Sequence, residues 1–372
     1  MGDGGADGLR ILFLTWRDLS HPAAGGAEVY TEQVARRWAG AGHDVTVFAA
    51  AVPGLPRVSR VDGYQVVRSG SRLGVYRQAR IWWDRVGSWR RFDLVIDMIN
   101  TVPFSAHKWI SGVPIVGFIH QTAEEVWGFN TVFPVSVLGR RVLEPRWLAG
   151  YAGRPVLAVS ASTADSIARF GVTDVTVVPE GFDPPRVSPD LPKADRPTLV
   201  WCARHVPYKR PLDVIRAFSS ASDRVDGLQL WMLGGGPDLQ VSVDAAAGVP
   251  GVTVFGRVSE QEKFARMAAA HLHVATSVRE GWGLVVTEAA AVGTPTLSYD
   301  VPGLRDSTRA ARGVLVPPDP LALAHWIPPT LDRFSASGFD RMPFGGACSW
   351  DQVADEVLAA ALAHARVSDR GL

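Results

Sequence analysis

Nine consecutive residues, Glu280-Gly281-Trp282-Gly283-Leu284-Val285-Val286-Thr287-Glu288, set a carboxylate on either side of a glycine-rich turn that opens a helix. Carboxylates accept hydrogen bonds from hydroxyls, and the first-turn amides of a helix, lacking intrahelical acceptors, favour a phosphate. The step from Glu280 to Glu288 is a little over two helical turns, which predicts that both carboxylates project from nearly the same side. One element can thus grip ribose, diphosphate and sugar.

Two further segments carry complementary chemistry. Arg204-His205-Val206-Pro207-Tyr208-Lys209-Arg210 follows a predicted strand and precedes a helix. Ligands of open α/β sheets lie at the carboxyl ends of strands, and there Arg204, with its planar fork, and Lys209, as a point charge, can clamp a diphosphate. Near the start of the chain, Gly25-Gly26-Ala27-Glu28 opens a helix, where glycine lets the backbone approach a phosphate. The motif is not GxGxxG, so a nicotinamide site is not indicated.

The elements that must hold these residues read as alternating strands and helices. Apolar runs at Ile11–Thr15, Val45–Ala49, Leu94–Ile96, Ile115–Ile119, Val156–Val159 and Val175–Val178 are unbroken, as in parallel strands covered on both faces, and Glu28–Ala39 reads as a helix. A proline-rich linker at Ser188–Pro197 ends this first series. The alternation restarts with Thr198–Cys202, a helix from Pro211, Leu228–Leu233, Val252–Phe255, a helix from Glu260 behind a Ser259-x-x-Glu262 capping box, His273–Ala275, a helix over Leu284–Ala291 and Thr296–Ser298. A loose region rich in Pro and Gly follows, then an amphipathic helix over Trp350–Ala365. The expected organisation is an N-terminal domain over 1–188, a C-terminal domain over 197–345, and a terminal segment, 346–372, crossing back to the first domain.

Composition narrows the function classes. At 372 residues the chain is long enough for two domains, and 47% apolar with 20% charged residues is ordinary for globular protein. A net charge of +1 gives no electrostatic case for nucleic acid. Cys202 and Cys348 are the only cysteines, without a CxxC or Cys/His cluster for zinc, which suits a reducing cytoplasm. The Gly/Asp-rich Met1–Leu9 is unlike a secretory leader, and no uncharged apolar stretch reaches membrane-spanning length.

Taken together, these motifs make the chain resemble the retaining glycosyltransferases of family 4, which have the GT-B fold. The likeness runs from Gly25-Gly26-Ala27-Glu28 through Val177-Val178-Pro179-Glu180-Gly181-Phe182-Asp183 to the helix at Trp350. It implies an α/β architecture of two Rossmann-like domains with parallel sheets facing an interdomain cleft. It also implies transfer of a hexose-type sugar from a nucleotide-diphosphate donor to an acceptor such as a glycan, a lipid-linked molecule or a natural product. By the same resemblance, Gly25 and Gly26 would face the donor diphosphate, and Arg204 and Lys209 would neutralise it. Glu280 would bind sugar hydroxyls and Glu288 the ribose. The turn Gly281, Trp282, Gly283 would present the Leu284 and Val285 amides to phosphate, Val258 would hold the base through its backbone, and His120 would sit beside the donor sugar. Glu180 stands where the family usually has Asn, Trp282 where Phe is common, and Gln121 where an acidic residue often follows the histidine; these departures bear on the identity of the sugar.

Cleavage of a sugar–phosphate bond leaves negative charge on the diphosphate, which many glycosyltransferases of another fold hold with a metal bound by Asp-x-Asp. No Asp-x-Asp occurs here, so protein cations are expected to replace a metal, with no cofactor. Two other functions fit the same pocket: a sugar-nucleotide epimerase of the same fold and a non-catalytic sugar-nucleotide-binding protein. Finally, Arg72–Arg91 places six arginines around Val75, Ala79, Trp82, Val86 and Trp89, a pattern suited to anionic lipid at the inner face of a membrane but better suited to packing on the sheet ahead of a core strand.

Overall fold

The apolar runs do become strands, buried in the sheet centres and partly covered at the edge strands that hold Val175–Val177 and Val252–Phe255. A computed structural model describes residues 8–183, 191–336 and 349–368, so 184–190 with the first three linker residues, 337–348 with Cys348, and both chain ends lie outside the described residues. The described residues divide into two units. One comprises those within 1–123, 138–181 and 348–372; the other comprises those within 124–137 and 182–347.

In the first unit, β1 (Arg10–Leu14), β2 (Asp44–Ala49), β3 (Val58–Val61), β4 (Tyr64–Arg68), β5 (Leu94–Ile99), β6 (Ile115–Ile119), β7 (Val156–Ala158) and β8 (Val175–Val177) form one sheet in the order β3-β4-β2-β1-β5-β6-β7-β8. All pairings are parallel except β3 with β4. That edge hairpin was absent from the sequence reading. It turns at Asp62-Gly63, both with positive φ, which is the backbone a two-residue hairpin loop demands.

The helix Gly26–Gly40 buries Tyr30, Val34 and Trp38. The terminal helix Trp350–Ser368 docks on it: Trp38 Nε1 donates to the Ala354 carbonyl at 2.9 Å, and Arg37 pairs with Asp351. Gly181 permits this docking, because a Cβ there would come within 2.7 Å of the Trp350 ring and 2.9 Å of its Cα.

The arginine-rich stretch differs from its expected stripe. Its helix ends at Arg85, so Val75, Ala79 and Trp83 enter the core while Val86 and Trp89, beyond the last turn, are exposed. No described helix is long and apolar enough to cross a membrane.

In the second unit, β9 (Thr198–Cys202), β10 (Gln229–Leu233), β11 (Val252–Gly256), β12 (Leu272–Ala275), β13 (Thr296–Tyr299) and β14 (Val314–Val316) form a wholly parallel sheet in the order β11-β10-β9-β12-β13-β14. Pro211 does open the helix Pro211–Ser222. The capping box is half formed: Ser259 Oγ accepts from the Glu262 amide at 3.2 Å, but the Glu262 carboxylate turns to Arg266 instead of the cap. The region read as loose contains a 17-residue helix, Pro320–Ala336, with Pro328 and Pro329 inside it. Burial of Leu323, Ile327, Leu331 and Phe334 along one face outweighs the hydrogen bonds those prolines forfeit.

His273, on β12, is fully buried, one ring nitrogen meeting Thr296 Oγ1 at 3.1 Å; burial lowers its pKa from 6.5 to about 3. A base whose folded pKa lies below its unfolded value leaves stability untouched above pH 6.5, where the ring is neutral in both states. As pH falls from 6.5 towards 3, only the unfolded chain gains the proton, and this group alone removes about 5 kcal/mol. Urea unfolding should therefore lose its midpoint more steeply over that window in the wild type than in His273→Leu; parallel profiles would refute the assignment.

Candidate functional site

In the second sheet the strand order reverses between β9 and β12, which pair directly through Leu199 with Leu272 and Val200 with His273. The carboxyl ends of two strands at such a reversal leave a crevice between their outgoing loops. These loops are the predicted ones, 203–210 and 276–283. They are laced together: the Val278 amide donates to the Tyr208 carbonyl at 2.8 Å, and Thr276 Oγ1 donates to the Lys209 carbonyl at 2.8 Å while accepting from Trp201 Nε1 at 3.1 Å.

The lacing brings Lys209 onto Glu280. Lys209 Nζ donates to Glu280 Oε1, which also accepts from Ser277 Oγ at 2.6 Å; the two charged side chains are mostly but not wholly covered. Both donors use one carboxylate oxygen, so Glu280 Oε2 is open to a hydroxyl, and an ammonium with three donors has two left for a phosphate. The Glu280 backbone is pinned as well: its amide donates to the Pro302 carbonyl at 3.0 Å, and Gly303, at φ +80°, packs directly beneath the Glu280 carbonyl.

Gly283, at φ +94°, ends the turn, and the helix Leu284–Ala291 begins there. The Leu284 and Val285 amides lie in its first turn, where no intrahelical acceptor exists. Trp282 is buried and donates from Nε1 to Thr287 Oγ1 at 3.0 Å, so its indole braces the helix start, while Gly281 is half-buried. The helical relation expected between Glu280 and Glu288 does not hold. Glu280 lies in the loop ahead of the first helical residue, so periodicity cannot align the two carboxylates, and they have different partners. Glu288 Oε1 accepts from Lys263 Nζ at 2.9 Å. Lys263, on the helix Glu260–Ala269, also pairs with Glu260 at 2.8 Å. Nothing in the sequence spacing had signalled that lysine.

Arg204 shares the loop with Lys209 but is exposed, and its side chain makes no ion pair or hydrogen bond among the described residues. Val258 is half-buried between β11 and the Glu260–Ala269 helix. The sequence reading also missed Arg279, beside Glu280. It is buried and ion-paired to Glu124 at 3.2 Å and Glu125 at 3.0 Å, residues of the 124–137 segment that was expected in the first domain and instead groups with the second unit.

In the first unit, the Gly25 amide donates to Glu28 Oε2 at 2.7 Å, and Glu28, fully enclosed, pairs with Arg17 at 2.6 Å. Gly26 is exposed at the helix start, its amide in the first turn. His120 follows β6 and is buried; its Nδ1 lies 3.4 Å from Glu180 Oε1, and Glu180 is buried too. A Cβ on Gly26 would stand 3.9 Å from that same carboxylate oxygen, so Gly26, His120 and Glu180 form one neighbourhood. In the sequence Glu180 stands out only as a departure from the family pattern.

The chain is similar to known proteins over most of its length. The family model described as Glycosyltransferase Family 4 matches residues 24–186, and that described as Glycosyl transferases group 1 matches residues 196–331. Among curated relatives, a D-inositol 3-phosphate glycosyltransferase of Salinispora tropica is 28% identical over 81% of this chain and 72% of its own length. A GDP-mannose-dependent alpha-(1-6)-phosphatidylinositol monomannoside mannosyltransferase of Mycobacterium tuberculosis is 29% identical over 82% and 84%. Among solved structures, sucrose-phosphate synthase from Thermosynechococcus elongatus superposes with a TM-score of 0.70 at 18% identity, covering 97% of this chain and 98% of its own. Anabaena HepE, solved in complex with UDP and glucose, gives 0.66 at 16% identity over 95% and 100%.

Proposed function

The chain belongs to the family 4, group 1 glycosyltransferases of the GT-B fold, and from that membership we propose that it transfers a hexose-type sugar from a nucleotide-diphosphate donor with retention and without a metal ion. The observation that carries the proposal is the Lys209–Glu280 pair, at the strand-order reversal of the second sheet and just ahead of the free amides of Leu284 and Val285. Lys209 and those amides face the diphosphate, Glu280 Oε2 accepts from a sugar hydroxyl, and Glu288, held by Lys263, takes the ribose hydroxyls. Arg204 extends the positive field towards the phosphates; Gly25 and Gly26 let backbone approach the donor, His120 meets the sugar, and Val258 presents its backbone to the base.

In the reaction the bond from the anomeric carbon to the diphosphate oxygen breaks and one to the acceptor oxygen forms on the same face. The departing phosphate oxygen takes the acceptor proton, so no carboxylate nucleophile of the retaining-glycosidase kind is needed. Charge grows on the leaving oxygen as the bond breaks. Preorganised cations and amides stabilise it most at that moment, which is the role metals fill elsewhere.

The direct test is thermal melting with UDP, GDP, ADP, dTDP and their sugars, each with and without EDTA. A native-state ligand at about 100 times its Kd adds about 2.7 kcal/mol, a readily resolved rise. One nucleotide series should raise the melting temperature, unchanged by EDTA; no response to any of them would defeat the donor reading, and a response abolished by EDTA would defeat metal independence. Incubation of the responding donor without acceptor separates transfer from epimerisation, since an epimerase returns an isomerised donor.

A further inference from the structure

We propose that Glu180 is a positioning residue for His120: it fixes the imidazole as the Nδ1–H tautomer, so that Nε2 presents a lone pair to a hydroxyl of the bound sugar. The inference rests on the donor reading above for the identity of the ligand, but the tautomer itself does not.

Both residues are only 6% exposed, and Nδ1 lies 3.4 Å from Glu180 Oε1. A carboxylate can only accept, so the ring nitrogen facing it must carry the hydrogen, and in the neutral ring the acceptor lone pair then falls on Nε2. The residue is packed on several sides. The His120 carbonyl accepts from Thr163 Oγ1 at 2.8 Å, and Thr163 is in turn held by Ser160. Tyr30 stands edge-on to the imidazole with centroids 5.2 Å apart, and Phe118 flanks it at 5.1 Å.

Nε2 is buried and has no hydrogen-bond partner among the described residues. An orphaned buried acceptor is costly, and the cost disappears when a ligand hydroxyl donates to it. An asparagine at position 180 could either donate or accept and would leave the tautomer unselected. Glutamate removes that freedom. The site therefore demands a sugar with a hydroxyl at this position: a site built to bond a hydroxyl strongly rejects the analogue lacking it, because its polar group is left unpaired.

The test uses the full-length, ligand-free protein labelled with 15N-histidine at pH 8, above the ordinary imidazole pKa, with the His120 resonances identified by their loss in His120→Gln. The wild type should show a protonated Nδ1 and an unprotonated Nε2, and Glu180→Gln and Glu180→Ala should populate the Nε2–H form. A wild-type ring with Nε2–H, a doubly protonated ring, or the same tautomer in both variants overturns the proposal. Should neither variant fold, the wild-type spectrum decides alone. With the donor found by melting, the wild type should prefer it over the matching deoxy analogue by at least about 10²-fold in kcat/KM, and Glu180→Gln should shrink that ratio about tenfold; a merely structural Glu180 leaves the ratio unchanged. Failure of every nucleotide to bind would sink the donor reading while the spectrum still judged the tautomer.

Discussion

Lys209→Ala lowers kcat by about 10²–10³-fold at saturating donor, the scale of losing one preorganised donor to a developing oxyanion. The fall should be larger still in kcat/KM, because the ammonium holds the diphosphate of the bound donor as well as the charge that grows as the sugar–phosphate bond breaks. The substitution has a second consequence in this fold. Lys209 and Ser277 share Glu280 Oε1, so removing the ammonium leaves a largely covered carboxylate with a single hydroxyl donor and frees it to repel the phosphate. Lys209→Gln, which restores a hydrogen bond to Glu280 but not the charge, separates the two effects. If the charge is what matters, it remains as slow as the alanine variant. Steady-state kinetics on both variants with unchanged kcat would remove Lys209 from the mechanism.

Gly303→Ala should cost at least about 10²-fold in kcat/KM although residue 303 carries no chemistry, because a displacement of about 1 Å in a positioned catalytic group has effects of this size. Its φ of +80° is unfavourable for any residue with a side chain, and a Cβ there would stand 2.2 Å from the Glu280 carbonyl oxygen and 2.5 Å from its carbon. Backbone cannot rotate away as a flexible side chain can, so the loop that carries Glu280 must shift. Melting temperature should fall with activity. Gly248→Ala makes the control, since a Cβ there meets nothing within 4 Å and φ is not positive. Equal behaviour of the two alanine variants would show that the 280 loop does not need the 303 backbone where it is.

Sequence patterns carry most of the second unit because its central strands, β9, β12 and β13, are buried and read as apolar runs: Thr198–Cys202, and the helix starts at Pro211, Glu260 and Leu284, coincide with the structure. The β3–β4 hairpin has a legible signal in Asp62-Gly63, but β3 is a short, partly covered edge strand, and β4, though buried, is five residues long with Gln65 and Arg68 among them, so no apolar run marks either. Pro328 and Pro329 masked the Pro320–Ala336 helix because local propensity was weighed without the core it packs on. At the site, Lys209, Glu280 and the Leu284 helix start were readable as motifs. Three partnerships were not: Lys263 with Glu288, Arg279 with Glu124 and Glu125, and Glu180 with His120 join residues 25 to 155 positions apart, and such separations leave no periodicity to detect. The helical relation between Glu280 and Glu288 is lost for a related reason, since the turn between them is not helical.

The central claim, that Lys209 and Glu280 with the Leu284 helix start form the seat of a nucleotide diphosphate, is tested most directly by calorimetric titration. The nucleoside diphosphate selected by melting would be titrated into the wild type and into Lys209→Ala. Loss of one charge-assisted contact of about 1.5–3 kcal/mol predicts binding about 10- to 100-fold weaker in the variant, with stoichiometry unchanged. Equal affinity in the two proteins would place the diphosphate elsewhere and contradict the account.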